Sequence, residues 1–245
     1  MKVKYLLLLF LIGISCLSCE RKSGRRGEGL NSARKSYNLQ SRTQSRHSKV
    51  NSRIGVSNKV PISGSLIFEK YCTAVFMVFT SDGMSEFQGS GFFISDDGVA
   101  VSNYHVFKGT TKGLEVIKLT DGGTFKIQEV IAYNEDKDYI LFRVGLGNHK
   151  VNYIPISHTI PRVGEKAYAI GSPRGLENTF SSGEISQIRD SQWLQISVPI
   201  DHGSSGGALI NNYGEAIGIT TAGIDDSGAN LNFALSISVL DEYFK

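Results

Sequence analysis

The strongest chemical signal in the sequence is a glycine-rich run, Gly203-Ser204-Ser205-Gly206-Gly207, that leads into an apolar segment. Glycine tolerates tight turns and a close approach of the backbone to a substrate, so this run could expose the hydroxyl of Ser205. The predicted oxyanion hole is formed by Gly203, Ser204 and Ser205, in which the N–H groups of Gly203 and Ser205 could stabilise the oxyanion of an acyl-transfer intermediate. Because runs of Gly and Ser are also common in ordinary loops, the run alone indicates only a candidate nucleophile and a candidate oxyanion hole.

Two further polar residues could activate such a hydroxyl. His105 lies just past the apolar segment 99–102, and an imidazole at a strand end can act as a base. Asp138 directly precedes another apolar segment, so its carboxylate could be partly buried and could orient the imidazole. Taken singly, a histidine is more often structural or exposed, and the acidic neighbours of Asp138 are typical of a solvated turn. The chain order His, Asp, Ser is that of the triad in chymotrypsin-like proteases.

The elements that would position these residues are short strands. No long amphipathic helix is evident, and turns such as Asp96-Asp97-Gly98 separate the apolar or β-branched segments. The twelve predicted strands are residues 74–80, 90–95, 99–102, 114–120, 124–133, 139–144, 166–171, 180–188, 193–199, 207–210, 216–222 and 232–235. This pattern predicts an all-β domain, built as barrels or as a sandwich. A short helix is predicted near residue 240, with Ser238 as its cap.

Eight short motifs lie around and between the three candidate residues: Gly89-Ser90-Gly91-Phe92, Ser102-Asn103-Tyr104-His105-Val106, Asp138-Tyr139-Ile140-Leu141, Gly171-Ser172-Pro173-Arg174-Gly175, Ser182-Gly183-Glu184-Ile185-Ser186, Gly203 to Gly207, Gly214 to Ile219 and Asn232-Phe233-Ala234. In this order they resemble the motifs of the HtrA (Deg) family of trypsin-like serine proteases, and the similarity covers about residues 65–240. Each motif alone would be weak evidence, but eight in the family's order are specific.

The resemblance implies two six-stranded antiparallel β-barrels with the active site in the cleft between them, followed by a short C-terminal helix. His105 and Asp138 would come from the first barrel and Ser205 from the second. The implied function is a serine endopeptidase that acts on misfolded or exposed segments of secreted or envelope proteins. The alternative is a catalytically silent chaperone or binding module on the same fold. The chain stops at Lys245, so the PDZ modules of the family, and assembly through them, are not expected.

The substrate pocket is predicted from residues near the nucleophile. Pro199 stands six residues before Ser205, where trypsin has its pocket aspartate, so cleavage after Lys or Arg is not expected. A small or medium apolar residue before the scissile bond is predicted. His202 could tune an acidic preference or could be an ordinary exposed loop residue. The residues expected to line or rim the pocket are Pro199, His202, Thr220, Thr221 and Ala222. No metal or cofactor motif is found, and the mechanism needs none.

The N-terminus has the pattern of an export signal. Lys2 and Lys4 precede an apolar run of about ten residues, which is too short to span a bilayer as a helix. Small residues before a cysteine resemble a bacterial lipoprotein signal, so residues 1–19 are predicted to be a signal peptide with Cys19, or else Cys16, lipidated. An ordinary cleaved signal or an uncleaved anchor is the alternative. The predicted location is the bacterial cell envelope, lipid-anchored and facing the periplasm or the exterior.

Charge is divided between two segments. Residues 20–60 carry eleven Lys or Arg against two Asp or Glu, and residues 61–245 carry thirteen against twenty-one. The first segment has few large apolar side chains and is predicted to be a disordered basic tether before a protease domain over 61–245. The tether could approach anionic lipid headgroups, whereas a nucleic-acid partner is not expected for a secreted protein. Polypeptide substrates and a membrane are the expected partners, and a homo-oligomer is left open.

Overall fold

The computed structural model describes residues 59–172, 178–221 and 231–244. The predicted signal peptide with Cys16 and Cys19, nearly all of the predicted tether, and Ala222 of the predicted pocket lie outside the described residues. Among those described, no helix is both long enough and apolar enough to cross a bilayer.

The first half of the domain is a seven-stranded antiparallel sheet. Its strands are β1 (Val75–Ser81), β2 (Glu86–Phe93), β3 (Val99–Ser102), β4 (Val116–Lys118), β5 (Thr124–Phe125), β6 (Ile127–Asn134) and β7 (Tyr139–Val144). They are ordered β5-β4-β1-β2-β3-β7-β6. Strand β3 therefore lies between β2 and β7, and its pairing with β7 sets Val101 opposite Leu141 and Ser102 opposite Ile140.

The second half is a closed six-stranded barrel. Its strands are β8 (Lys166–Gly171), β9 (Thr179–Arg189), β10 (Trp193–Ile196), β11 (Ala208–Asn211), β12 (Ala216–Thr220) and β13 (Asn232–Ser236). They close in the order β10-β13-β12-β11-β8-β9, because β9 also pairs with β10. Closure leaves this barrel without a free edge.

The all-β, chymotrypsin-like prediction is confirmed, although the first half differs from a six-stranded barrel. One predicted strand, 124–133, divides at Lys126 into β5 and β6, which pair with different neighbours. These two strands end the hydrogen-bonded order, so the first sheet stays open in its hydrogen bonding. The carbonyl of Lys126 accepts from the N–H of Gly145 at 2.9 Å, outside any strand pairing.

Alternate residues of the strands divide the core into three apolar clusters. Along β1, Phe76 and Val78 pack inside the first sheet, whereas Val75 faces a second cluster. That second cluster, the central cluster below, joins residues of both halves, with Phe92 and Leu141 from one and Ile170, Ile219 and Leu235 from the other. The third fills the closed barrel. The central cluster fixes the two halves against each other.

The helices are few and short. An eight-residue helix, α1 (Gly64–Tyr71), precedes β1 and was not predicted; Ser63 caps it, and Ile67 and Tyr71 are buried on its inner face. Near the end a 3₁₀ helix runs over Ile237–Tyr243. Its cap is Ser236, whose hydroxyl accepts from the N–H of Ser238, so the prediction of Ser238 as the cap was wrong by two residues.

Candidate active site

The structure brings His105 and Asp138 together at one end of the β3–β7 pair. His105 lies in a 3₁₀ turn just after β3, and Asp138 is the residue before β7. Since the two strands are antiparallel, the end of one meets the start of the other. The carboxylate contacts His105 twice: Oδ2 lies 2.8 Å from Nδ1, and Oδ1 accepts from the backbone N–H at 2.8 Å. These two contacts hold the imidazole ring through Nδ1, so that Nε2 is the ring nitrogen available to a substrate or to Ser205.

The backbone at Asp138 is held in an uncommon conformation. Its φ is +60°, a value that few residues other than glycine adopt. The buried side chain of Asn103 donates from Nδ2 to the carbonyl of Asp138 at 2.9 Å and so stabilises this geometry. Asn103 belongs to a motif quoted from the sequence, but nothing in the sequence indicated this bracing role. The imidazole is 44% exposed and the carboxylate 19%, so the pair opens to solvent on the histidine side.

The Ser205 turn is tight enough to require glycine. Gly203 has φ +93° and Gly206 has φ +89°. A Cβ built on Gly206 would lie 2.1 Å from the carbonyl oxygen of Ser90 and 2.4 Å from the hydroxyl of Ser102, both in the first sheet. The turn therefore packs directly against the half of the molecule that carries His105.

Hydrogen bonds from both halves hold this turn. From the first sheet, the N–H of Ser90 donates to the carbonyl of Ser205 at 2.8 Å, and its hydroxyl donates to the carbonyl of Gly203 at 2.7 Å. From the barrel, the hydroxyl of Thr220 donates to the carbonyl of Ser204 at 2.7 Å. The backbone carbonyls of Gly203, Ser204 and Ser205 therefore each accept a hydrogen bond.

The N–H groups of the turn fall into two sets. Those of Ser204, Gly206 and Gly207 donate to backbone carbonyls at 3.0, 2.8 and 2.9 Å. Those of Gly203 and Ser205 have no recorded acceptor within the described part of the chain. The two residues predicted to donate to an oxyanion are therefore available in this conformation. The N–H of Ser204, which the sequence placed in the same hole, is instead bonded to the carbonyl of Asp201.

Ser205 approaches the His105 segment through the backbone. A Cβ on Gly89 would meet the side chain of Val106 at 2.7 Å and the carbonyl oxygen of Ser205 at 3.2 Å, so Gly89 lies between them. Over the described ranges, the Ser205 hydroxyl makes no recorded hydrogen bond, to His105 or to any other residue. The structure thus joins His105 to Asp138 directly and brings the backbone of Ser205 close to the segment that carries His105.

The predicted pocket residues are found in different surroundings. Thr220 is 1% exposed, and its hydroxyl donates to the carbonyl of Ser204 at 2.7 Å, so its side chain faces the Ser205 turn. Thr221 is half-buried and donates its N–H to the carbonyl of Phe233 at 3.1 Å. Pro199 and His202 are exposed. Across residues 59–172, 178–221 and 231–244, no cluster of His, Cys, Asp or Glu could hold a metal ion.

Two side-chain pairs flank the His105–Asp138 pair and were not predicted. Lys108 and Glu135, each three residues from a member of that pair, form an exposed ion pair. The hydrogen bond that Lys108 donates to the Glu135 carboxylate raises the pKa of Lys108 above its ordinary value. The rings of Tyr104 and Tyr133 stack with centroids 5.1 Å apart. Both pairs join the loop after β3 to the end of β6, so they brace the two loops that carry the imidazole and the carboxylate.

Comparisons with known proteins agree with this architecture. A family model described as a trypsin-like peptidase domain matches residues 89–219, more than half of the chain. The chain is 36% identical over 163 residues to Protease Do-like 1, chloroplastic, of Arabidopsis thaliana, which is 62% of this chain and 36% of that protein. It is 31% identical over 186 residues to Serine protease HTRA2, mitochondrial, of Drosophila virilis, which is 71% of this chain and 42% of that protein.

A solved structure is similar as well. The serine endoprotease from Yersinia pestis superposes with a TM-score of 0.66 at 26% identity, covering 76% of this chain and 66% of that one. The chain spans about four tenths of the length of the curated relatives it matches. The residues matched by the family model, 89–219, include His105, Asp138 and Ser205.

Proposed function

The chain belongs to the trypsin-like peptidase family, and from this membership we propose that it is a serine endopeptidase that hydrolyses internal bonds of polypeptides. Its triad is His105, Asp138 and Ser205. The observation that carries the proposal is the double contact of the Asp138 carboxylate with His105, beside the segment that the Ser205 turn approaches through its backbone.

The acylation step follows from these positions. The Ser205 hydroxyl attacks the scissile carbonyl while Nε2 of His105 takes its proton as a general base. Asp138, bonded to Nδ1, holds the required tautomer and stabilises the imidazolium that forms. The N–H groups of Gly203 and Ser205 donate to the developing oxyanion. His105 then passes the proton to the leaving amine, and an acyl-enzyme ester remains on Ser205.

Deacylation repeats the chemistry with water. His105 removes a proton from a water molecule as it attacks the ester, and the same N–H groups bind the second oxyanion. Collapse of this intermediate releases the carboxylic acid, and the proton on His105 returns to the Ser205 oxygen. The net reaction is hydrolysis of one peptide bond, with no cofactor consumed.

A fluorophosphonate probe tests the proposal. We expect the wild type to be labelled and the Ser205→Ala variant not to be, and we expect only the wild type to cleave unfolded, reduced casein. The competing function is a silent chaperone or binding module, and the absence of a recorded bond between the Ser205 and His105 side chains is the observation in its favour. A wild type that is neither labelled nor active, with or without unfolded protein present, would support that alternative.

The substrates are proposed to be misfolded or exposed segments of secreted and envelope proteins. The names of the relatives support a protease acting on polypeptides, and the export-type N-terminus supports an extracytoplasmic location. The preferred residue before the scissile bond is small or medium and apolar. A peptide library cleaved by the wild type tests this preference, and cleavage mainly after Lys or Arg would contradict it.

The location is proposed to be the bacterial envelope, with a lipid anchor on Cys19 or Cys16. Two or more acyl chains hold a protein at a membrane far more firmly than one. Replacing both cysteines by Ser should move the protein from the membrane fraction to the soluble fraction after cell lysis. The Cys72→Ser variant is the control, because this cysteine lies in the folded domain after α1. Unchanged fractionation of the double variant would contradict the anchor.

A further inference from the structure

The peptide unit between Ser204 and Ser205 is fixed at its carbonyl end. Its oxygen accepts the Thr220 hydroxyl at 2.7 Å and the N–H of Gly207 at 2.9 Å. A peptide unit is planar and trans, so the direction of its carbonyl sets the direction of its N–H on the opposite side. The N–H in question belongs to Ser205 and is one of the two proposed oxyanion donors. The Thr220 hydroxyl therefore determines the direction of the Ser205 N–H without contacting the substrate.

Thr220 is itself held firmly. It ends β12 and is 1% exposed. Its own N–H donates to the carbonyl of Gly207 at 2.9 Å, and its carbonyl accepts the N–H of Gly206 at 2.8 Å. Three hydrogen bonds thus join this one residue to the turn. A side chain on so constrained a backbone has little freedom to find another acceptor.

Ser90 performs the corresponding task from the first sheet. It is 0% exposed, and its hydroxyl both donates to the carbonyl of Gly203 at 2.7 Å and accepts the N–H of Ser172 at 2.9 Å. The Gly203–Ser204 peptide is therefore fixed at its oxygen by Ser90 and at its N–H by Asp201. This rigid unit connects the two oxyanion donors and sets the distance between them.

We propose that Thr220 and Ser90 are positioning residues for catalysis: their buried hydroxyls orient consecutive carbonyls of the turn, so that the N–H groups of Gly203 and Ser205 converge on the substrate oxyanion. The inference rests on the proposed function and names two residues that act through the backbone. Donors fixed before the reaction need no reorganisation when charge develops, which is the source of their catalytic effect.

The test compares Thr220→Val, which keeps the shape and removes the hydroxyl, with Thr220→Ser, which keeps the hydroxyl. We expect Thr220→Val to lower kcat on reduced casein, and the rate constant of fluorophosphonate labelling, by about ten- to a hundredfold, since losing a donor altogether costs about 10²–10³-fold. KM should stay within about threefold, because the effect is confined to the transition state. Thr220→Ser should recover most of kcat.

A matched control separates this role from a structural one. Thr80 is also buried, and its hydroxyl also donates to a backbone carbonyl at 2.7 Å. That carbonyl belongs to Val106, which lies outside the Ser205 turn. We expect Thr80→Val and Thr220→Val to lose similar thermal stability, with the larger loss of kcat in Thr220→Val. A folded Thr220→Val with wild-type kcat and labelling rate would overturn the inference.

Ser90→Ala provides an independent measurement, because it deletes one oxygen and leaves the backbone bonds in place. It should also lower kcat with little change in KM, and it decides the question if Thr220→Val fails to fold. Wild-type kcat in a folded Ser90→Ala would count against the inference. Failure of the proposed function has a different signature, because the wild type itself would then show neither turnover nor labelling.

Discussion

At the scale of single residues, Asp138 combines a strained backbone with two hydrogen bonds to one partner. A φ of +60° is costly for a residue with a Cβ, and Asn103 and His105 both act to maintain it. Such strain persists only where the surroundings determine it fully. In this molecule it places one carboxylate oxygen on the backbone of His105 and the other on its ring.

We expect Asp138→Asn to lower kcat by about four orders of magnitude, the loss seen when the triad carboxylate becomes an amide and the imidazole takes the wrong tautomer. The backbone hydrogen bond can survive in this variant, so its melting temperature should change little. Initial rates of casein cleavage and calorimetry together measure both effects. Activity within tenfold of the wild type would remove Asp138 from the triad.

Gly206→Ala should destabilise the fold by more than backbone strain alone. Gly206 and Gly83 have nearly equal φ values, +89° and +92°, but a Cβ on Gly83 meets nothing within 4 Å. Gly83→Ala should therefore cost about 1 kcal/mol of strain, and Gly206→Ala should add about 1–3 kcal/mol for the collision with Ser90. Urea unfolding of the two variants measures the difference. Equal losses would show that the turn can move away from the first sheet.

At the scale of elements, the β2–β3 turn is stabilised by a charged pair. Asp97 accepts from the hydroxyl of Ser95 and from Arg143 of β7, 2.5 Å away, and these bonds lower the pKa of its carboxyl below 3.8. A lowered folded-state pKa contributes stability that is present above the unfolded-state value and is lost as the pH falls through the folded-state value. The pair is largely exposed, so its contribution should be small and weakened by salt.

Asp97→Asn should therefore be less stable than the wild type at neutral pH, and the difference should shrink as the pH falls below 3.8 and the wild-type carboxyl becomes protonated. Urea unfolding at a series of pH values in low salt measures this convergence. The Asp96→Asn variant of the neighbouring turn residue is the control. A difference between wild type and Asp97→Asn that grows as the pH falls would contradict the assignment.

Element types were predictable from the sequence where burial follows a simple period. Strands β3, β7 and β8 were predicted with the bounds they have in the structure, because each is a short, mainly apolar segment. Helix α1 was not predicted, since Leu66-Ile67-Phe68 is typical of a strand; the Ser63 cap and the packing of Ile67 and Tyr71 decide the local structure. Tertiary contacts overrode local propensity there.

The candidate site was predictable in its chemistry and less so in its supports. His105, Asp138 and the Ser205 turn stand out by residue type and order. The bonds from Ser90 to Gly203 and from Thr220 to Ser204 join residues far apart in the chain, so no local pattern reveals them. Thr220 illustrates the limit, because the sequence suggests that it lies near the site but not whether its side chain faces the substrate or the interior.

At the scale of the whole molecule, the central cluster makes the two halves one unit. Val101 of the first sheet and Ile170 of the barrel belong to the same buried group. Separating the halves would expose this apolar surface to water and break the bonds of Ser90 to the turn. We therefore expect the domain to unfold in a single cooperative transition.

The only tryptophan of the chain, Trp193, lies in strand β10 of the barrel and packs against the central cluster. Its fluorescence and the far-ultraviolet circular dichroism of the whole domain should give the same urea midpoint. Val101→Ala, in the first sheet, should shift both midpoints equally, although the fluorophore is in the other half. Two separate midpoints, or a shift seen only by circular dichroism, would show that the halves unfold independently.

Barrel closure also sets the time at which the enzyme can first act. Strand β13 (Asn232–Ser236) pairs with both β10 and β12, so the barrel that supports the Ser205 turn cannot close before those residues have been synthesised. Under the proposed function, a nascent chain that has folded only its first sheet would carry the base and its orienting acid without a positioned nucleophile. The proposed activity would therefore be absent from an unfinished chain.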